Sequence, residues 1–457
     1  MYKSLILLLL NTLFINVLWS NDYTLNINDD MTAIKVTICS KHPLQLTSSL
    51  DNATRYLSKT SSHVEILNGH QLRLTKPDSC HWLIIPTNTE STAMTGQLLK
   101  VPTGLLMWRN EQIENDVINV QLPKAANTKL VNHSLPLPKI NHDQYKWPEE
   151  PSFMSLFAYF GDFSQKTLRI SEQSGSNLSL QINLLSKTLD SQYDSLITWI
   201  NQVARSLVAT SVLSGEQTVQ LNLFASHSSE SVPFAMVYRG EGTSIDAQIN
   251  PQASLSQLKT DWTLYHEFAH LALPFIDRND AWLSEGLASY LQYPLMQKAS
   301  VLDEREAIEE LWHGIRRGQT NYQELSKPNL TLAQLSSNMM EFRSFKQVYW
   351  RGAIFWFQVD LKLRANGDSL VRLLNRFNRC CRDLNSIWQG ESLSAVLDQQ
   401  IDYPFIQQLV TQYNNSTQFP QTDRLFNSIG ISIGNDNQIK VLDRPKLNRF
   451  FANFKAH

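Results

Sequence analysis

The sequence is short of most features that would place a chain outside the ordinary globular classes. It holds four cysteines, Cys39, Cys80, Cys380 and Cys381, with no Cys-x-x-Cys pair among them. That excludes a thiolate zinc knot and a disulfide-dense scaffold. Charge of neither sign is in excess, since 40 Lys and Arg stand against 42 Asp and Glu for a net −2. No basic stripe is therefore available for nucleic acid, and pairs such as Arg316-Arg317 read as solvated surface. Beyond residue 20 no run of about 18 apolar residues occurs, so no stable membrane span is expected. Internal repeats and low-complexity blocks are also absent.

What is present fits an exported globular protein. Apolar residues make up 42% of the 457 positions and charged residues 18%, enough to bury sizeable cores over roughly two to four domains. Lys3 precedes an apolar stretch from Leu5 to Trp19, interrupted by Asn11 and Asn16 and closed by Ser20. This pattern reads as a signal peptide over residues 1–20, with an uncleaved anchor as the other reading. It implies a periplasmic or secreted protein. Four cysteines suit that oxidising compartment, and Cys39 to Cys80, both in one short β-rich segment, is the expected bridge.

Patterning predicts an α+β multidomain chain. Residues 21–139 alternate apolar and polar in short runs such as Tyr23 to Ile27, Thr32 to Ile38 and Val117 to Leu122, as an N-terminal β domain would. The proline-rich stretch from Leu135 to Pro151 is extended and marks the first boundary. Residues 150–300 mix strands (Leu178 to Leu184, Gln217 to Phe224, Phe234 to Tyr238) with an amphipathic helix near Tyr193 to Leu213. Helical periodicity dominates 301–419. Residues 420–457 form a short tail with a hairpin signal at Gly434-Asn435-Asp436-Asn437.

The chemistry concentrates in Trp262-Thr-Leu-Tyr-His-Glu-Phe-Ala-His-Leu-Ala-Leu273, a helix-compatible segment ended by Pro274. His266 and His270, four apart, share one helix face and can bind one Zn²⁺, with Glu267 beside them as general base. Asn279-Asp280 can cap a following helix, Trp282-Leu-Ser-Glu-Gly-Leu-Ala-Ser-Tyr290, which carries Glu285 one turn in. A carboxylate there closes a three-ligand set and leaves a position for water. Asp277 and Asp280 are rival third ligands, although both suit turn and cap positions.

Together these two helices resemble the gluzincin metallopeptidases, above all the aminopeptidase N and glycyl aminopeptidase-like families. The resemblance implies a thermolysin-like mixed sheet in the catalytic domain, His266, His270 and Glu285 as ligands of one Zn²⁺ per chain, Glu267 as catalytic base, and a peptide or protein substrate. Val348-Tyr-Trp-Arg-Gly-Ala-Ile354 is similar to the families' Tyr-x-Lys-Gly-Ala helix start, which makes Tyr349 the oxyanion donor and puts Arg351 in place of lysine. Val359-Asp-Leu-Lys-Leu-Arg364 with Gly367-Asp-Ser-Leu370 is similar to the glycyl aminopeptidase-like pattern. Phe234-Ala-Met-Val-Tyr-Arg-Gly-Glu-Gly-Thr243 occupies the place of the substrate-pairing edge strand. It lacks the Gly-Ala-Met-Glu-Asn motif of aminopeptidase N, so Gly240 and Glu241 are the substrate-contact candidates, beside a reading of Glu241 as an exposed turn carboxylate. The resemblance implies an aminopeptidase-like zinc peptidase. The rival readings are a catalytically silent peptide-binding module and a zinc hydrolase of an ester or epoxide.

Overall fold

Alternation in the front half of the chain becomes sheet. In Ala33–Ser40 the side chains of Ile34, Val36 and Ile38 point inward and their neighbours outward, the period-two pattern of a strand with one buried face. The computed structural model describes residues 23–29, 31–95, 98–110, 117–123, 132–147, 154–172, 175–325, 329–382, 386–434, 436–452 and 454. The signal-peptide expectation for residues 1–20, and residues 148–153 of the proline-rich connector, lie outside them.

A seven-stranded sheet runs in the order Lys139–Asn141, Gln144–Lys146, Val117–Gln121, Tyr23–Ile27, Ala33–Ser40, Ser79–Pro86 and Lys59–Thr60. Cys39 faces Cys80 across the antiparallel pair and the two form a disulfide, the pairing expected from the sequence. A second disulfide joins the adjacent Cys380 and Cys381. A four-stranded sheet in the order Asn132–Ser134, Phe157–Gly161, Leu98–Pro102 and Ala93–Thr95 packs on the same core, around Trp108 and Leu105. Strand pairing thus runs across the boundary read at residue 139.

The second half begins with a five-stranded mixed sheet: Ser164–Ser171, Ser176–Leu184, Gly215–Ala225, Gly242–Ile249 and, at the edge, Phe234–Gly240. Its three inner strands are parallel and the two outer ones antiparallel to their neighbours. Parallel neighbours need a crossover, and the helix Tyr193–Val208 supplies it. Leu196, Trp199, Ile200, Val203 and Leu207 form its buried face at helical spacing. Each such side chain contributes on the order of 1.5–3 kcal/mol of transfer free energy.

Beyond the sheet the chain is helical, including Thr263–Ala269, Ala281–Lys298, Glu304–Glu324, Phe345–Ala365 and Leu370–Cys380. These share one continuous apolar core with the sheet. The expected terminal hairpin is present as Ile431–Ile433 paired with Ile439–Val441, but it lies between the helices Asp423–Ser428 and Arg444–Ala452. Phe450 and Phe451 bury the last helix against the core, a pattern too short to separate from a tail by sequence. No helix of the described residues is long and apolar enough to cross a membrane.

Candidate active site

The His266 helix is pinned at both ends to the edge strand side of the sheet. At its start Asp261 accepts hydrogen bonds from the amides of Thr263 at 2.9 Å and Val232 at 3.2 Å. At its end the buried Arg239 guanidinium donates to the His270 carbonyl, a favourable place for a cation. The helix tightens into a 3₁₀ turn over His270–Ala272, yet His270 keeps right-handed helical angles (φ −57°, ψ −26°), so both histidines stay on one face. Pro274 has no amide to continue the ladder.

The chain then reverses through a short turn into Ala281–Lys298. Asp277 caps that turn by accepting the Asn279 amide at 3.0 Å, and Asp280 accepts from the Gly390 amide at 2.8 Å and Asn414 Nδ2 at 2.9 Å. Neither lines the cleft below. Gly286 meets Gly352 of Phe345–Ala365 backbone to backbone, where a Cβ on either would strike the other helix. This approach needs glycine at both positions. It also brings Tyr349, one turn before Gly352, over the His266 ring, with centroids 5.9 Å apart and planes 17° from parallel. Arg351 is fully buried and donates to the Ser416 carbonyl at 2.6 Å, so it supports the helix and takes no part in the site.

Three donor atoms converge. His266 Nε2 lies 3.3 Å and His270 Nε2 3.6 Å from Glu285 Oε2. Each Nδ1 is held from behind, His266 by Gln292 Oε1 at 2.9 Å and His270 by Ser284 Oγ at 3.0 Å. A carbonyl oxygen only accepts, so His266 Nδ1 carries the proton and its Nε2 lone pair points inward. Ligands about 2.1 Å from a tetrahedral zinc sit about 3.4 Å from one another, and the two observed separations bracket that value. The donor set therefore fits zinc, with Gln292 and Ser284 as the outer partners that orient ligating imidazoles.

Glu267 also lies within 4.8 Å of both histidines. Its Oε2, however, accepts the Val237 amide of the edge strand at 2.8 Å, which turns it toward the substrate side. Burial, reinforced by the Glu285 carboxylate and opposed by His266, pushes Glu267 up to about 8. Glu285 goes the other way. Burial would raise it, but with no ion present the positive charge of His270 and His266 in their protonated forms outweighs burial and holds it well below the usual carboxylate range. Tyr349 is raised well above its ordinary value by burial and by both carboxylates, so its phenol keeps its proton as a donor. These groups line a cleft of about 730 Å³. On its walls Phe234 is 43%, Met236 42% and Trp262 49% exposed.

His266, Glu267, His270, Glu285 and Tyr349 are thus brought together, and Gly240 and Glu241 are not. The turn at Gly240-Glu241-Gly242 tucks beneath the N-terminal domain, where a Cβ on Gly240 would meet the Met154 backbone and one on Gly242 (φ 108°) that of Pro136. Glu241 is fully buried beside Thr103, Ser49 and Arg109, and is neither a cleft residue nor an exposed turn carboxylate. Both expectations for it are corrected, because the cover comes from residues more than a hundred positions upstream. Gln292 and Ser284 were not among the residues expected at the site. Their signal was available, since both lie on the Glu285 helix, Ser284 directly before it and Gln292 two turns on.

The site and the two-part sheet and helix architecture define a gluzincin aminopeptidase-like fold. No protein-family model and no curated protein matches the chain by sequence. Among solved structures, an aminopeptidase N family protein from Idiomarina loihiensis superposes with a TM-score of 0.58 at 11% identity, covering 90% of this chain and 78% of that one. An M1 zinc metallopeptidase from Deinococcus radiodurans matches with a TM-score of 0.49 at 13% identity, covering 88% of this chain and 94% of that one.

Proposed function

We propose that the protein is an exported zinc-dependent metallopeptidase, aminopeptidase-like in its site, holding one Zn²⁺ through His266, His270 and Glu285. The observation that carries this reading is the convergence of two imidazole lone pairs and one carboxylate oxygen beside Glu267, at spacings that suit a tetrahedral ion. Zinc in that position supplies Lewis acidity toward a scissile carbonyl and toward the attacking water. Glu267 takes the water proton and delivers it to the leaving amine, a task its place beside both histidines and the edge-strand Val237 amide suits. Tyr349 donates its phenol hydrogen bond to the developing oxyanion, worth about 10²-fold to 10³-fold in rate.

The substrate lies extended along the edge strand Phe234–Gly240, whose outer side pairs with no strand among the described residues, and is held through main-chain groups other than the Val237 amide that Glu267 engages. Phe234, Met236 and Trp262 offer it an apolar wall. The apolar N-terminal stretch and the Cys39–Cys80 bridge support export. A peptide library incubated with and without a zinc chelator tests the reading, and chelator-sensitive amide cleavage is expected. Binding without cleavage would favour the silent peptide-binding module, and turnover of esters or epoxides alone would favour a non-peptide hydrolase.

A further inference from the structure

A second group of metal-ligating side chains stands where the N-terminal domain meets the catalytic sheet. His133, His142 and Asp143 place a ligand atom each within 4.8 Å of the others. His133 belongs to the strand Asn132–Ser134, and His142-Asp143 is the two-residue turn between Lys139–Asn141 and Gln144–Lys146. The turn is held by three bonds: Asn141 Oδ1 accepts the Asp143 amide at 3.0 Å, Asn141 Nδ2 reaches Gln144 Oε1 at 2.6 Å, and the Asp143 carbonyl accepts the Val120 amide at 2.8 Å.

The hydrogen bonding around His133 fixes which nitrogen is bare. The Tyr145 hydroxyl donates to the His133 carbonyl at 3.1 Å, so it accepts from His133 Nδ1 at 3.0 Å. That leaves the His133 Nε2 lone pair facing Asp143 Oδ1 at 3.4 Å, inside a fully buried side chain. A lone pair set against a carboxylate calls for a cation between them. The separation is that of two ligands on a tetrahedral zinc, about 3.4 Å. His142 Nδ1 sits at 2.5 Å from the same oxygen and needs to swing outward by about 1 Å to join the shell. It is free to do so, because the side chains of His142 and Asp143 are 62% and 61% exposed. Lys139 does not fill the gap, since its ammonium is bonded to Gln165 Oε1 at 3.1 Å.

We propose that His133, His142 and Asp143 form a second, structural site for a divalent first-row ion, zinc by its nitrogen and oxygen donor set, with solvent completing the shell. The ion ties the 139–146 hairpin to the strand that joins the two halves. On that strand the His133 carbonyl accepts from Gln165 Nε2, and Ser134 Oγ accepts from Asn183 Nδ2 and Gln220 Nε2 of the catalytic sheet.

The test compares the full chain with His142→Ala and Asp143→Asn, both exposed positions that leave the core intact. Each protein is loaded with zinc, desalted and assayed for bound metal and peptide cleavage. The wild type is expected to hold about one equivalent more zinc than either variant and to melt higher in zinc than in chelator by a margin that the variants lack. Cleavage should be equal in all three. The readout is a difference of one equivalent, so it stands whether or not the catalytic cleft holds its own ion. Equal zinc content in wild type and variants would overturn the site.

Discussion

The cleft and the joint beneath the Gly240–Gly242 turn each bury a carboxylate, and the two respond in opposite directions. Glu285 is held well below the usual range because two imidazoles meet it at 3.3 and 3.6 Å. Glu241, fully buried where the Glu285 side chain is 22% exposed, is pushed up to about 7 because burial outweighs the Thr103 and Ser49 hydroxyls and the Arg109 guanidinium near it. Burial alone drives a carboxyl toward its neutral form. A carboxylate that stays charged at such depth does so because cation-binding groups surround it, and that separates a ligand from a structural acid more sharply than burial does.

The largest test of this contrast removes the charged member. Glu285→Ala should lose zinc on dialysis, a fall in affinity of about 10³-fold or more, read by metal analysis after desalting. Unchanged zinc content would contradict the ligand set, since Asp277 and Asp280 are engaged in the turn.

The neutral member should show itself in stability. Folding raises Glu241 from its ordinary 4.5 to about 7, so the folded state binds more protons between those values and stability falls as pH rises through that window. Glu241→Gln abolishes the titration. The variant should exceed the wild type by about 3 kcal/mol at pH 8 and match it near pH 4 in denaturant unfolding. A pH-independent difference would mean that Arg109 keeps the carboxylate charged.

A smaller effect is expected one layer out. Gln292→Ala leaves all three ligands in place but frees the His266 ring, and should weaken zinc binding by about 10-fold to 100-fold in competition with a chromophoric chelator. No change would assign Gln292 to packing.

Local spacing carried most of the site. His266, Glu267 and His270 follow from one helix, and Glu285 from the cap and start of the next, because helix geometry converts sequence distance directly into a shared face. Tyr349 needed the resemblance, since its position depends on the Gly286–Gly352 crossing between helices 66 residues apart. Glu241 was misread for the same physical reason at longer range. A hairpin with glycine on both sides looks exposed until Thr103 and Arg109 are known to cover it. The hairpin at 431–441 was legible, but the flanking helices were not, because their buried faces are formed by few residues against a distant core.

The central claim is that Glu267 is the proton carrier of a zinc peptidase and not one of its ligands. Metal content and peptide cleavage measured together on Glu267→Gln test it most directly, because the amide keeps the side chain's shape and removes its basicity. The account predicts wild-type zinc with cleavage reduced by about 10³-fold or more. Cleavage close to wild type, or loss of zinc along with activity, would contradict it.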